Sequence, residues 1–165
     1  MHSRQFGPLA TVLLFAALLA GCGSGNKPTA HYDLSPDSNR KFLADNAQLP
    51  GVVKTADGLQ YKIITAGHGK QITSPADTVT VTYKGWTIDG HVFDQTPSGQ
   101  TASFAAGRLI PGWVEALKLM HEGDEWQLVI PSELGYGEDG AGDDIGPNQT
   151  LVFDMKLVSV GPPAQ

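Results

Sequence analysis

The sequence has one cysteine and none of the short motifs that mark common hydrolases and nucleotide-binding enzymes. Cys22 cannot form a disulfide within the chain, and its N-terminal position leaves no cysteine for nucleophilic chemistry further on. The chain contains no GxSxG, no glycine-rich phosphate loop followed by lysine, and no HExxH. Serine hydrolase, P-loop and zinc protease chemistry are therefore not indicated.

Basic residues are also few, with 11 Lys and Arg against 17 Asp and Glu and a net charge of -6. They form no run or stripe, so the electrostatic footprint of a nucleic-acid-binding protein is missing. The five histidines are far apart and lack metal-ligand spacing. An acidic stretch, Glu138 to Asp144, could bind a cation, but a solvated loop among glycines explains it better. We expect no nucleic acid, metal or cofactor.

The composition that remains suits one globular domain. Of the 165 residues, 41% are hydrophobic and 17% are charged, which allows a sizeable core. The 20 glycines and 11 prolines are scattered and non-repeating, which predicts many turns between short elements.

The N-terminus resembles a secretory signal. His2 and Arg4 precede an apolar run over 9–19 that is too short to span a bilayer comfortably. The run ends in Leu-Ala-Gly-Cys at 19–22, which resembles the bacterial lipobox. The resemblance implies cleavage before Cys22, lipidation of that cysteine and a signal peptide over residues 1–21. The alternative is a free cysteine beside an ordinary signal cleavage site.

Several acyl chains on Cys22 would give stable membrane anchoring. The residue after the cysteine is Gly23 and not Asp. By resemblance to Gram-negative lipoproteins, this favours transfer to the outer membrane. We therefore expect the protein in the cell envelope, at the outer membrane facing the periplasm. Residues 23–33 are small and polar and predict a tether. Ser35 predicts the N-cap of a short helix reaching to about Gln48. We assign 22–50 to anchor, tether and helix, and 51–165 to the globular domain.

From residue 59 onward, apolar residues alternate with polar ones in four rows, as in half-buried antiparallel strands. The rows are Leu59, Tyr61 and Ile63; Val79, Val81 and Tyr83; Trp126, Leu128 and Ile130; and Leu151, Phe153, Met155 and Leu157. Asp89-Gly90 predicts a type I′ hairpin turn. Between the second and third rows, Trp113, Ala116, Leu117 and Met120 form the apolar stripe of a short helix. The pattern predicts an α+β fold in which a curved antiparallel sheet wraps around one helix.

Five ordered motifs then resemble the FKBP family of peptidyl-prolyl cis-trans isomerases. They are VTVTYKG with DGHVFD at 79–94, LIPGW at 109–113, IPSELGYG at 130–137, IGPN at 145–148 and LVFD at 151–154. The stretch ADGLQYK at 56–62 is similar to the macrophage infectivity potentiator-like group of that family.

The resemblance implies rotation about Xaa-Pro bonds in envelope proteins, assisting their folding without a covalent intermediate or cofactor. It also implies rapamycin-type macrocycles as inhibitors. Its catalytic residues would be Asp94, Tyr83 and Tyr136. Its substrate pocket would have Trp113 as the floor, with Phe93, Phe104, Leu109, Ile110, Ile145 and Phe153 around it.

Two positions depart from the family pattern: Ala102 replaces an aromatic found in some pockets, and Gly146 replaces a proline of the flap. Two other functions stay open. The pocket could serve a chaperone that holds extended chains, with isomerisation incidental. The lipobox alone would also fit a surface-anchored, adhesin-like interaction protein. Retained suppression of aggregation without catalysis would favour the first, and host binding by a pocket-dead variant the second.

Overall fold

The computed structural model describes residues 31–163. The signal peptide predicted for 1–21, lipidated Cys22 and most of the tether lie outside the described residues. The described part belongs to one compact unit that begins at His31, so it includes the first helix as well as the sheet. Within residues 31–163, no helix is long and apolar enough to cross a bilayer.

The described chain forms an antiparallel sheet of seven strands with two α-helices, which confirms the predicted fold class. The elements in chain order are α1 (Pro36–Asn46), β1 (Val52–Lys54), β2 (Gln60–Thr65), β3 (Thr78–Thr87), β4 (Val92–Gln95), β5 (Ala102–Ala105), α2 (Pro111–Leu119), β6 (Glu125–Ile130) and β7 (Leu151–Gly161). Short 3₁₀ turns occupy Ala106–Arg108 and Ser132–Leu134. The strand order is β1-β2-β6-β7-β3-β4, and β5 pairs with β3.

Helix α2 packs on the inner face of the sheet, as its apolar stripe predicts. Trp113, Ala116, Leu117 and the following Met120 are all buried. The inward rows of β3, β6 and β7 join them in one hydrophobic core. Burial of this stripe is what stabilises so short a helix, because an isolated helix of nine residues is marginal in water.

Strand β2 departs from the predicted pattern. The alternation predicts that Ile63 faces inward, but Ile63 is 48% exposed, whereas the polar Gln60 is only 1% exposed. Ile63 still pairs with Trp126, and the register against β6 shifts only beyond it, between Ile63 and Thr65. The buried part of the apolar row ends with Tyr61, whose ring stacks on Trp126 with centroids 4.4 Å apart.

Gln60 is buried because helix α1 covers the outer face of the sheet. Gln60 donates to the Leu43 carbonyl at 2.9 Å and accepts from the Asn46 amide at 2.7 Å. Val129, which pairs with Gln60, is likewise buried on this face. The predicted N-cap is confirmed: Ser35 accepts a hydrogen bond from the Ser38 N–H at the start of α1.

The hairpin between β3 and β4 forms where predicted, but it is not a type I′ turn. Asp89 does not have the positive φ that such a turn requires, and only Gly90 does, at 92°. The Gly90 N–H donates to the Thr87 carbonyl at 2.8 Å. The Asp89 carboxylate accepts from the Thr87 hydroxyl and the His91 N–H, and this local bonding favours the observed turn.

Candidate functional site

Five aromatic rings gather at one end of the core. The Trp113 ring meets Tyr83 at 5.0 Å between centroids, Phe153 at 5.2 Å and Phe104 at 6.2 Å, with interplanar angles of 81–84°. Phe93 meets Phe153 edge-on at 5.5 Å. Edge-to-face contacts at these distances are favourable and directional, so the rings form a rigid apolar box around the indole.

The box opens into a cavity of about 450 Å³, a volume suited to a small ligand or a few peptide residues. Its lining consists of Tyr83, Phe93, Asp94, Phe104, Arg108, Leu109, Ile110, Trp113, Tyr136 and Phe153. Nine of these ten are the pocket and catalytic residues proposed from the sequence. The structure thus brings together side chains that are as far apart in the chain as Tyr83 and Phe153.

Strand pairing explains how the aromatic side chains reach one place. Gly85 of β3 lies opposite Asp94 of β4 on one side and Phe153 of β7 on the other. A Cβ atom on Gly85 would come within 2.5 Å of the Phe153 ring and 2.8 Å of the Phe93 ring. The missing side chain of Gly85 is therefore the space into which these two rings pack.

The polar part of the cavity centres on Asp94. The Tyr83 hydroxyl donates to its carboxylate at 2.6 Å. Two causes raise the pKa of Tyr83 well above its usual range: burial, which is the larger, and this hydrogen bond. Burial and the nearby charge of Asp94 also raise the pKa of Tyr136. Both phenols therefore remain protonated donors at neutral pH.

Tyr136 reaches the cavity from the long loop between β6 and β7. The loop is bonded to itself: the Gly140 N–H donates to the Tyr136 carbonyl, and Ala141 pairs with Ile145 in both directions. Gly140 has a φ of 68°, and a Cβ there would lie 2.3 Å from the Ile145 carbonyl oxygen. Only glycine fits this position without moving the loop.

Two residues differ from the predicted site. Ile145 is not among the residues that line the cavity, and its side chain is buried in the hydrophobic core. Arg108 lines the cavity although it was not predicted. Arg108 directly precedes the LIPGW motif, and this position was the one sequence feature that could have indicated a place beside the pocket. The motif itself does not include an arginine. On β5, Phe104 lines the cavity and Ala102 does not.

Within residues 31–163, no group of three or more His, Cys, Asp or Glu side chains could hold a metal ion. The cavity is lined by apolar side chains, two phenols, the guanidinium of Arg108 and one carboxylate paired with a phenol. This arrangement can desolvate a bound group and donate hydrogen bonds to it. It offers no activated nucleophile.

An antiparallel sheet packed on one short helix, with an aromatic pocket at the end of that helix, defines an FKBP-like protein. Comparison with known families agrees, since the model of the FKBP-type peptidyl-prolyl cis-trans isomerases matches residues 69–158. The model of the domain amino-terminal to such isomerases matches residues 26–63. The chain belongs to the FKBP-type peptidyl-prolyl cis-trans isomerase family.

Several named proteins are similar to this chain. A probable FKBP-type isomerase FkpA of Neisseria meningitidis is 49% identical over 138 residues, which cover 83% of this chain and 50% of the relative. The outer membrane protein MIP of Legionella longbeachae is 45% identical and covers 81% of this chain and 59% of the relative. The chain therefore spans only about half to three fifths of these relatives.

Solved structures show the same relationship. A peptidyl-prolyl cis-trans isomerase from Pseudomonas syringae aligns with a TM-score of 0.71 and 39% identity, over 76% of this chain and 92% of that one. FkpA from Escherichia coli aligns with a TM-score of 0.72 and 41% identity, over 76% of this chain and 59% of that one.

Proposed function

We propose that the protein is a peptidyl-prolyl cis-trans isomerase that acts on Xaa-Pro bonds of unfolded or partly folded polypeptides. The observation that carries this proposal is the aromatic box around Trp113, edged by the Tyr83–Asp94 pair and Tyr136. Family membership and the names of the relatives support the same activity.

The chemistry needs no nucleophile. Rotation about a prolyl bond must overcome a barrier of about 18–20 kcal/mol that arises from its partial double-bond character. The planar amide is more polar than the twisted transition state, so removal of water favours the twisted form. A millionfold acceleration requires only about 8 kcal/mol of such differential stabilisation.

The lining residues have separate roles in this proposal. Trp113 forms the floor under the proline ring, and Phe93, Phe104 and Phe153 exclude water from the rotating bond. Asp94, oriented by the Tyr83 hydroxyl at 2.6 Å, lies beside the rotating carbonyl. These side chains favour a desolvated, twisted amide.

Two donors complete the site. The Tyr136 hydroxyl donates to a carbonyl of the bound peptide. The Ile110 N–H, for which the described residues supply no acceptor, donates to another. Together these bonds hold the peptide in a turn while the bond between them rotates.

The test is isomerisation of a short Ala-Leu-Pro-Phe peptide by the purified protein, followed by NMR exchange or by coupled proteolysis. We expect fast exchange in the wild type and a strong loss in Asp94→Ala. Asp154→Ala is the matched control, because Asp154 is an exposed carboxylate of β7 outside the cavity. Absence of exchange in a folded wild-type protein would refute the proposal and favour a chaperone.

The same cavity is proposed to bind rapamycin-type macrocycles in competition with the peptide. Because β5 contributes only Phe104 to the lining, we expect weaker binding than in a pocket with a second aromatic at position 102. Titration with rapamycin during the exchange assay measures this affinity. An Ala102→Phe variant that binds the macrocycle no more tightly would contradict the reasoning.

We further propose that Cys22 is lipidated and anchors the protein in the bacterial envelope, at the outer membrane facing the periplasm. The lipobox at 19–22 and the name of the Legionella relative, outer membrane protein MIP, support this location. Metabolic labelling with an alkyne fatty acid should mark the wild-type protein and not Cys22→Ala. Equal labelling of both proteins would exclude this site of modification.

A further inference from the structure

Helix α1 carries a buried amide that is bonded to the far end of the Tyr136 loop. Asn39 is 4% exposed, and its Oδ1 accepts from the Thr150 N–H at 2.8 Å. Its Nδ2 lies 3.2 Å from Gln149 Oε1 and 3.0 Å from the Ser35 carbonyl oxygen. We name Asn39, Gln149 and Thr150 the amide clasp.

Gln149 completes the clasp from the loop side. Its Nε2 donates to the Leu34 carbonyl at 3.1 Å and to the Pro147 carbonyl at 3.0 Å. Gln149 and Thr150 are both buried, so each of these polar groups needs a protein partner. The clasp therefore ties the start of α1 to the residues directly before β7.

The clasp adjoins a second link that leads to Tyr136. The Asn148 N–H donates to the Gly137 carbonyl at 2.7 Å, which joins the two legs of the loop beside Tyr136. Among the described residues other than glycine, Asn148 alone has a left-handed backbone, with a φ of 58°. Such a conformation persists when neighbouring contacts enforce it, and the clasp begins at the next residue.

We propose that Asn39 is a positioning residue for Tyr136, so that helix α1, which lies on the opposite face of the sheet from α2, sets the geometry of the pocket. Loss of the clasp frees Gln149 and Thr150, then Asn148, and allows the Tyr136 hydroxyl to leave its productive place. The functional part of this inference rests on the proposed isomerase activity. The structural part, that Asn39 orders the loop, does not.

The chain offers a matched control on the same helix. Asn46 is also a buried asparagine, 9% exposed, and its amide donates to Gln60 on the sheet at 2.7 Å rather than to the loop. Asn39→Ala and Asn46→Ala therefore each remove a buried amide from α1. If Asn39 served stability alone, then Asn39→Ala and Asn46→Ala, when equally destabilised, would lose the same amount of activity.

The experiment compares both variants with the wild-type protein by hydrogen exchange and by kcat and KM. Asn39→Ala should speed amide exchange over residues 136–150 and lower kcat/KM about three- to tenfold, the effect of one misplaced hydrogen bond. Asn46→Ala should leave the amide exchange rates over residues 136–150 and kcat/KM within twofold of the wild-type values. In a Tyr136→Phe background, Asn39→Ala should have no further effect on kcat/KM, because the hydroxyl it positions is already absent.

Equal losses of activity in the two alanine variants, or unchanged loop exchange in Asn39→Ala, would overturn the proposal. Gln149→Ala replaces Asn39→Ala if the latter fails to fold, and the same results are then required of it. If the wild type shows no isomerase activity, the ¹⁹F signal of fluorotyrosine at position 136 decides. It should broaden or shift in Asn39→Ala and not in Asn46→Ala, and no difference between the variants refutes the positioning role.

Discussion

A single methyl group at Gly85 should displace two aromatic walls of the pocket. The Cβ of Gly85→Ala would lie 2.5 Å from a Phe153 ring carbon and 2.8 Å from two Phe93 ring carbons. Non-bonded carbons normally lie about 3.5–4.0 Å apart, so one or both rings must move by roughly 1 Å. The edge contact of Phe153 with Trp113 opposes that movement.

Overpacking of this size should lower the free energy of unfolding by about 1–3 kcal/mol. Displacement of two pocket walls by about 1 Å should also reduce kcat/KM roughly tenfold or more. Urea unfolding measures the first effect and prolyl exchange in the Ala-Leu-Pro-Phe peptide the second. Gly161→Ala is the matched control, because Gly161 also lies in the sheet and the nearest atom to its Cβ is the Thr78 oxygen at 4.0 Å.

The control variant should be as stable as the wild type or slightly more stable, since alanine restricts the unfolded chain. A Gly85→Ala protein with wild-type stability and wild-type exchange rates would refute the argument. It would mean that the two rings relax freely and that the box around Trp113 is not rigid.

Three further sets of substitutions test the site and the fold. Asp94→Ala and Tyr136→Phe should each lower kcat/KM, the latter about two- to tenfold for one lost hydrogen bond, without unfolding the domain; unchanged rates in both would remove these residues from the site. Trp113→Ala should lower the free energy of unfolding by about 3–5 kcal/mol because it leaves a large cavity, and Trp113→Leu should lower it less. Equal urea midpoints for the two variants would show that the indole does not fill the core. The Glu122 carboxylate accepts hydrogen bonds from the backbone N–H groups of Val160 and Lys70. These bonds, with that of Val160 the larger cause, lower the pKa of Glu122 below the usual 4.5. Its contribution to stability is therefore present above about pH 4.5 and disappears as the pH falls toward the lower pKa of the folded state. Glu122→Gln should flatten this acid dependence in urea titrations between about pH 6 and about pH 3, and an unchanged slope would contradict the assignment.

Much of the pocket was predictable because its residues belong to motifs that are short in sequence. The strand and hairpin over 79–94 contain Tyr83, Phe93 and Asp94, and the LIPGW motif contains Trp113. Resemblance of these motifs to the FKBP family indicated the site residues, and periodicity did not, since the consecutive residues Phe93 and Asp94 of β4 both line the cavity. The structure brings the motifs together around one cavity.

Positions that depend on distant partners were harder to predict. Ile145 has the hydrophobicity of a pocket wall, but its side chain is buried in the core and does not line the cavity. Ile63 continues an apolar row, but its side chain is 48% exposed. In each case the local sequence is compatible with either placement, and contacts made elsewhere in the chain select one.

The sequence by itself determined the kind of fold, since alternation in four segments and one amphipathic stripe permit few arrangements that bury every apolar face. Through its motifs it also identified most of the residues around the cavity. Only the tertiary structure decided that Gln60 is buried, that Arg108 borders the pocket and that Asn39 is bonded to Gln149, 110 positions away. The physical reason is that burial and hydrogen bonding of a polar side chain depend on which distant groups surround it, and local periodicity carries no information about those groups.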